Sequence, residues 1–296
     1  MHNAVLLSLL AAVATVVAAP GCTPKPPGHV HASTGVIKCP LVFDGRVKTT
    51  TQLADFDSYS TSLFNPDYVK GQNLKWSQII KFPETPNAHF DNDTYKPFEV
   101  TISDESIFQN QRGFRRAGLQ FQGDTNNGSP GSKGVKTIHF SLKWDAQRAL
   151  NLSHEYLLVW HEAADYSSNQ FNFEAGTIIG QTSLPRDTYK VLNRRNSQIW
   201  STPILRNDWQ NFAITLDFNR NTLQVYYSKG DEPLKSVTNA VSNDNSGEGQ
   251  YQVGMLKKPT GTSDVVNSGY QQRNLNEGLI YGSLFVEDSA NACVSV

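Results

Sequence analysis

Phe212-Ala213-Ile214-Thr215-Leu216-Asp217-Phe218-Asn219-Arg220-Asn221-Thr222-Leu223-Gln224-Val225-Tyr226-Tyr227 places apolar residues at every second position on both sides of a short polar turn. Side chains of a strand alternate between two faces, so Phe212, Ile214, Leu216 and Phe218 share one surface, and Leu223, Val225 and Tyr227 share another after the turn. The stretch reads as a β-hairpin. The same period recurs outward along the chain in Phe98, Val100 and Ile102; in Ile138, Phe140, Leu142 and Trp144; and in Tyr156, Leu158 and Trp160. Further strands are expected around residues 171–179, 251–256 and 278–287. Gly, Asn and Pro separate the runs, and no long amphipathic helix interrupts them. The pattern predicts an all-β fold, a β-jelly roll or two-sheet antiparallel sandwich with an open concave cleft.

Residues 1–19 are almost uninterruptedly apolar from Ala4 and end in Val17-Ala18-Ala19 before Pro20, which reads as a signal peptide. The expectation is a secreted, extracellular protein. Residues 20–36, rich in Pro, Gly and His, are expected to form a flexible tail, and residues 37–296 a single domain without internal repeats. The segments 122–134 and 260–272 are expected to be long loops bordering a groove. Asn92, Asn127 and Asn151 each begin an Asn-x-Ser/Thr triplet, which predicts surface glycosylation on that export route. A bond between Cys39 and Cys293 would tie the two ends of the domain together and leave Cys22 over. Closing so long a loop stabilises a fold by roughly 5 kcal/mol in the chain-entropy view.

The formal net charge of −1 excludes the electrostatic footprint of a nucleic-acid binder. Beyond the leader, no apolar run is long enough to cross a bilayer, so a soluble monomer without a membrane partner is expected. Only 18% of residues are charged while 10% are aromatic, a balance that suits an uncharged ligand with apolar faces, such as a sugar. No cofactor or metal is expected. His161-Glu162-Ala163-Ala164-Asp165 departs from the zinc motif His-Glu-x-x-His at its fifth residue and continues a strand-like run, where the positions do not share a face. Gly-x-Ser-x-Gly, a phosphate loop and Cys-x-x-Cys are all absent.

Two places carry candidate chemistry. Glu162 continues the Tyr156, Leu158, Trp160 row, where desolvation would raise its pKa towards that of a general acid. In Gly113-Phe114-Arg115-Arg116-Ala117-Gly118-Leu119-Gln120-Phe121, alternation puts Arg116, Gly118 and Gln120 on one face. A glycine there fits a bulge or a close backbone approach, or else a place where a functional side chain is missing.

Cys39-Pro40-Leu41-Val42-Phe43-Asp44-Gly45-Arg46-Val47, Phe64-Asn65-Pro66-Asp67-Tyr68-Val69-Lys70-Gly71, Leu74-Lys75-Trp76-Ser77-Gln78 and Gly113-Phe114-Arg115-Arg116-Ala117 resemble stretches of glycoside hydrolase family 131. So do Asn151-Leu152-Ser153-His154-Glu155-Tyr156, Leu256-Lys257-Lys258-Pro259-Thr260-Gly261 and Asn276-Glu277-Gly278-Leu279-Ile280-Tyr281-Gly282. The resemblance runs from Ile37 to the end and implies a secreted fungal β-glucanase of β-jelly-roll fold, acting on β-1,3-, β-1,6- and β-1,4-linked glucans. It implies a catalytic role for Glu162 and cleft positions for Arg116, Gln120, Trp160 and Gln252. It also implies a catalytic Glu where this chain has Gly118, and a His where it has Gln252. Glycosidases divide their chemistry between two carboxyl groups, so Glu174, Asp165, Glu277 or another acid from a neighbouring strand would have to replace the missing one. Three readings remain: a β-glucan hydrolase using Glu162, a non-catalytic β-glucan-binding protein, and a polysaccharide lyase.

Overall fold

Alternating apolar rows commit each strand to one buried face, and the two rows richest in aromatics meet. The computed structural model describes residues 35–296. The expected signal peptide, Cys22 and most of the expected tail lie outside the described residues.

The strands begin with β1 Leu41–Asp44, β2 Ile80–Lys81, β3 Phe98–Ser103, β4 Arg115–Leu119 and β5 Val135–Trp144. They continue with β6 Glu155–Glu162, β7 Asn169–Gly176, β8 Thr188–Asn193, β9 Gln198–Pro203 and β10 Gln210–Asp217. The last are β11 Thr222–Lys229, β12 Lys235–Ser236, β13 Val241–Ser242, β14 Gln250–Lys257 and β15 Asn276–Asp288. One nine-stranded sheet has the order β12-β11-β10-β5-β15-β3-β2, with β1 added to β15 and β13 to β11. The other has six strands in the order β4-β14-β6-β7-β8-β9. Neighbours in both are antiparallel, and the opening stretch is the β10–β11 hairpin, with Phe212 opposite Tyr227. The architecture is the predicted all-β jelly-roll sandwich.

The core lies between the sheets. Phe140 and Phe212 of the large sheet meet Phe173 of the small one, with ring centroids 4.9 and 4.6 Å apart in edge-on contact. Such pairs add about 0.5–1.5 kcal/mol to the burial of the rings. A disulfide joins Cys39, just before β1, to Cys293, just after β15. Gly35, within the expected tail, donates its N–H to His89 O (3.2 Å). Asn92 and Asn127 are exposed, whereas Asn151 is half-buried and its Nδ2 donates to Gln272 Oε1 (2.7 Å).

Candidate active site

The face of the small sheet turned away from the core floors a cleft of about 750 Å³. Alternation along β4 sends Ala117 and Leu119 into the core, with Phe121 beyond them, and Arg116 and Gln120 into the cleft. In the neighbouring β14, Tyr251, Val253 and Met255 join the core, while Gln250, Gln252 and Leu256 line the cleft. Glu162 enters from β6, on the far side of β14 from Arg116.

Glu162 does not reach the cleft by the simple parity expected from sequence. Tyr156, Leu158 and Val159 all lie in the main core, whereas Leu157 and Trp160 pack with Phe114 and Leu256 in a separate cluster. The pairing of β6 with β7 slips between Leu157 and Val159, and its pairing with β14 slips opposite the same place. A bulge of this kind reverses which face later residues occupy. Trp160 and Glu162 therefore share the cleft face while Tyr156 and Leu158 face the core. Trp160 is 1% exposed, so its ring is part of the floor and offers no open face to a sugar. The cleft position expected for Trp160 is thus one beneath the lining and not on it.

The exposed rings are elsewhere. Tyr68 and Tyr166, 53% and 66% exposed, both line the cleft. Tyr68 belongs to a segment that covers the free edge of β4: the Gly118 N–H donates to Val69 O and the Asn65 N–H to Gln120 O, each at 2.8 Å. Tyr166 lies in the β6–β7 turn, with its hydroxyl hydrogen-bonded to Asn126. Val69, Gln109 and Tyr166 line the cleft with left-handed backbone, φ 55°, 52° and 60°. Non-glycine residues in that region cost of order 1–3 kcal/mol each and cluster at functional sites. Of the two long loops, residues 122–134 supply Asp124, Thr125 and Asn126 to the cleft. Residues 260–272 do not line it; Val265 packs against the cluster around Trp160 instead.

Burial governs the charges. Arg116 is held in place by Nη1 donating to Gln111 Oε1 (3.1 Å), with its guanidinium near the faces of Phe108 and Trp160. Desolvation pushes its pKa down to about 10, opposed by the charge of Glu162. Burial raises the pKa of Glu162, offset in part by Arg116 and by Gln252, whose Nε2 donates to Glu162 Oε2 (3.3 Å). A carboxyl held protonated above its ordinary range beside a cation is suited to giving a proton to a leaving oxygen.

The acids proposed as partners for Glu162 are placed otherwise. Glu174 is buried outside the cleft near Glu155, its pKa pushed up to about 8 by desolvation. Glu277 pairs with Lys257 Nζ (2.7 Å) and accepts from Tyr156 Oη (2.8 Å). Asp165 is fully exposed and turns back on Ser167. Among the described residues, the other carboxyl lining the cleft is Asp124, unforeseen from sequence. Its two oxygens accept from Ser129 Oγ (2.5 Å) and from the Tyr251 N–H (2.8 Å), and burial brings its pKa to about 7. Asp124 thus serves β14 as a backbone acceptor where β4 has already ended. His161 faces the other way, into the core against Tyr251, so it and Glu162 cannot share a metal. Among the described residues no group of three or more His, Cys, Asp or Glu is placed to hold one.

Gly118 sits opposite Gly254 in an unbroken ladder between β4 and β14. The two glycines differ. Gly254 has φ +146°, and a Cβ there would lie 2.1 Å from Ala117 O, so its backbone requires glycine. Gly118 has no left-handed φ, and the three atoms nearest a Cβ on it all belong to side chains, Gln252 Oε1 at 2.9 Å being first. That contact is the far end of the Gln252 side chain and not backbone. Neither a bulge nor close backbone approach explains Gly118, and the position can carry a side chain directed into the cleft.

The sequence profile of the glycoside hydrolase 131 catalytic N-terminal domain matches residues 41–292. The chain belongs to glycoside hydrolase family 131. A domain of this family is a glycoside hydrolase domain and implies a polysaccharide substrate. Among solved structures, the family 131 β-glucanase catalytic domain from Podospora anserina aligns with a TM-score of 0.68 at 20% identity, covering 84% of this chain and 96% of that one. The family 131 catalytic domain from Coprinopsis cinerea aligns with a TM-score of 0.65 at 20% identity, covering 85% and 95%. At such identity the likeness to these family 131 structures is one of fold. A search of curated protein sequences gives no match.

Proposed function

We propose that this family 131 domain is a secreted hydrolase of cell-wall β-glucans, taking β-1,3-, β-1,6- or β-1,4-linked chains, with turnover reduced by Gly118. The observation that carries the reading is Glu162, a desolvated carboxyl facing a polar cleft opposite Arg116. Glu162 protonates the glycosidic oxygen as the bond to the anomeric carbon breaks, and the aglycone leaves as an alcohol. Water then adds to the sugar cation and gives up its proton, which returns Glu162 to its starting state once a proton is regained from solvent. The second carboxyl that would activate that water is absent from position 118, so its contribution of roughly 10²–10⁴ in rate is lost. The disulfide between Cys39 and Cys293 and the apolar leader support export into an oxidising compartment.

Gly118 favours a second reading, β-glucan binding without turnover, because binding by the cleft does not need the acid. Release of reducing ends from β-1,3- and β-1,4-glucan by the wild type and by Glu162→Gln separates the two. Slow wild-type release, lowered at least 100-fold by Glu162→Gln, supports hydrolysis. Adsorption to insoluble glucan with no release at high loading supports the binding reading, and equal release by both proteins removes Glu162 from the mechanism.

A further inference from the structure

Two partly buried arginines of this chain are each closed by a carboxylate across the same edge of the guanidinium. Arg46 donates from Nε to Asp44 Oδ1 (2.9 Å) and from Nη2 to Asp44 Oδ2 (2.7 Å). Arg148 donates from Nε to Glu99 Oε1 and from Nη2 to Glu99 Oε2, both at 2.7 Å. Such two-pronged pairs are the strong form of arginine recognition. Arg116 is buried more deeply than either, at 6% exposed, and lacks such a partner. Its side chain makes one hydrogen bond, from Nη1 to Gln111 Oε1. Among the described residues Glu162 acts on it through charge alone, with no hydrogen bond between them. The edge left over is that of Nε and Nη2: Nε is buried without a partner, and Nη2, also unpartnered, opens on the cleft that Arg116 lines. Burying a guanidinium without an anion is costly, so an open pairing edge on a cleft floor points to an anion brought by the ligand.

The acids of the cleft do not fill that role. Arg116 lies opposite Leu256 on β14, whereas Glu162 lies opposite Gln250 and Asp124 accepts from the Tyr251 N–H. About 16 Å of strand separates the backbone of Leu256 from that of Tyr251. Asp124 has both oxygens bonded within the protein, and Glu162 carries no charge in the protonated form that the proposed reaction uses. We propose that Arg116 is a carboxylate site, so that the cleft takes β-glucan chains bearing an oxidised sugar, a uronate within the chain or an aldonate at its end, in preference to the neutral chain. This rests on the polysaccharide-binding role proposed above and extends it to acidic chains. The carboxylate accepts from Nη2 and Nε, as Asp44 and Glu99 do from Arg46 and Arg148.

The test measures affinity by calorimetry for hexaoses of β-1,3- and β-1,4-linked glucose, for the same chains oxidised at C6 to glucuronate units, and for chains whose reducing end is oxidised to an aldonate. Wild type is expected to bind at least one oxidised form tenfold or more above its neutral parent, and the form preferred tells a uronate source from an aldonate source. Arg116→Met removes the cation at similar length and should bring that ratio to one or below. Arg116→Lys keeps the charge without the two-pronged edge and should retain part of the preference. Thermal unfolding checks that the variants are folded. Methyl esterification of the preferred oxidised chain removes the ligand's charge against unaltered protein, and the preference should vanish with it. A wild-type ratio near or below one for both oxidised forms, or a preference that survives esterification or survives in folded Arg116→Met, overturns the carboxylate site and leaves the proposed function standing. Binding of oxidised chains with none of any neutral β-glucan, oligomeric or insoluble, overturns the proposed function and keeps the site; binding of neither overturns both.

Discussion

Replacing Gly118 by Glu tests whether the missing carboxyl limits turnover. The backbone accepts the change, because Gly118 is extended and its ladder with β14 is unbroken. The nearest obstacle is Gln252 Oε1 at 2.9 Å, and a rotation of that amide by a few tenths of an ångström relieves it at a cost of about 1 kcal/mol. Strand interiors disfavour glycine by roughly 0.5–1 kcal/mol, which offsets that cost. Burying a further carboxyl beside Glu162 adds a desolvation cost of about 1–3 kcal/mol, so the expected destabilisation is about 1–4 kcal/mol. In return a second acid stands across β14 from Glu162. General acid–base assistance of 10²–10⁴ corresponds to about 3–5 kcal/mol in the barrier, so reducing-end release should rise at least 100-fold. Two carboxyls sharing a cleft cannot ionise independently, so the pH profile should become bell-shaped. A folded Gly118→Glu protein that still binds glucan but turns it over no faster than wild type would refute the reasoning.

Wild-type turnover should show a single limb. Glu162 acts while protonated, so the rate is full at low pH and falls as pH rises through its raised pKa; a rate that climbs over that range contradicts the assignment. Asp91 offers a stability test away from the cleft. Burial lifts its pKa from 3.8 to about 7, so between those values the folded state holds the extra proton and stability falls as pH rises. Asp91→Asn keeps an oxygen for the Ser283 N–H and removes a penalty of roughly 4 kcal/mol, so its melting temperature should exceed wild type at pH 8 and match it near pH 4; a constant difference sinks this account. Tyr281→Phe removes the hydroxyl that donates to Gly254 O (2.7 Å) and lies 3.3 Å from Leu158 O. It should cost about 1–3 kcal/mol in denaturant unfolding and also weaken glucan binding; lost stability with unchanged binding would separate the bulge from the site.

The legible parts of the fold are those where one face is buried and the other is not. The hairpin of β10 and β11 and the rows of β3, β5 and β15 follow directly from period-two patterning. β8 and β9 escape it. Tyr189, Lys190 and Val191 of β8 are all buried, so alternation vanishes, and a lysine in the middle of the run reads as surface. Lys190 is tolerated because its Nζ donates to the carbonyls of Gly176 and Thr188, both at 3.1 Å, a solution that only tertiary structure supplies. In the site, Arg116, Gly118 and Gln120 are placed by parity on a regular strand, and Gln252 by the family resemblance. The walls are not, because Val69, Gln109 and Tyr166 adopt left-handed backbone that their residue types do not announce. Tyr68 lies inside a quoted family motif, and that was the available signal for it.

The bulge in β6 shows why parity alone misassigns Tyr156 and Leu158, which it groups on one face with Trp160 and Glu162. A strand buried between a core and a cleft must satisfy both, and strict alternation would leave Glu162 on the side of Tyr156 and Leu158, inside the sandwich. The irregular step at Leu158 and Val159 lets the first half of the strand anchor the core and the second half present an acid to the opposite face. Gly254 answers it from β14 with a backbone no other residue adopts cheaply, and Tyr281 reaches across from the large sheet to the carbonyl oxygens of both. The backbone that delivers Glu162 is therefore held by groups in the core, independently of what occupies position 118. A side chain can stand at position 118 without changing the fold or the register, provided the Gln252 amide gives way.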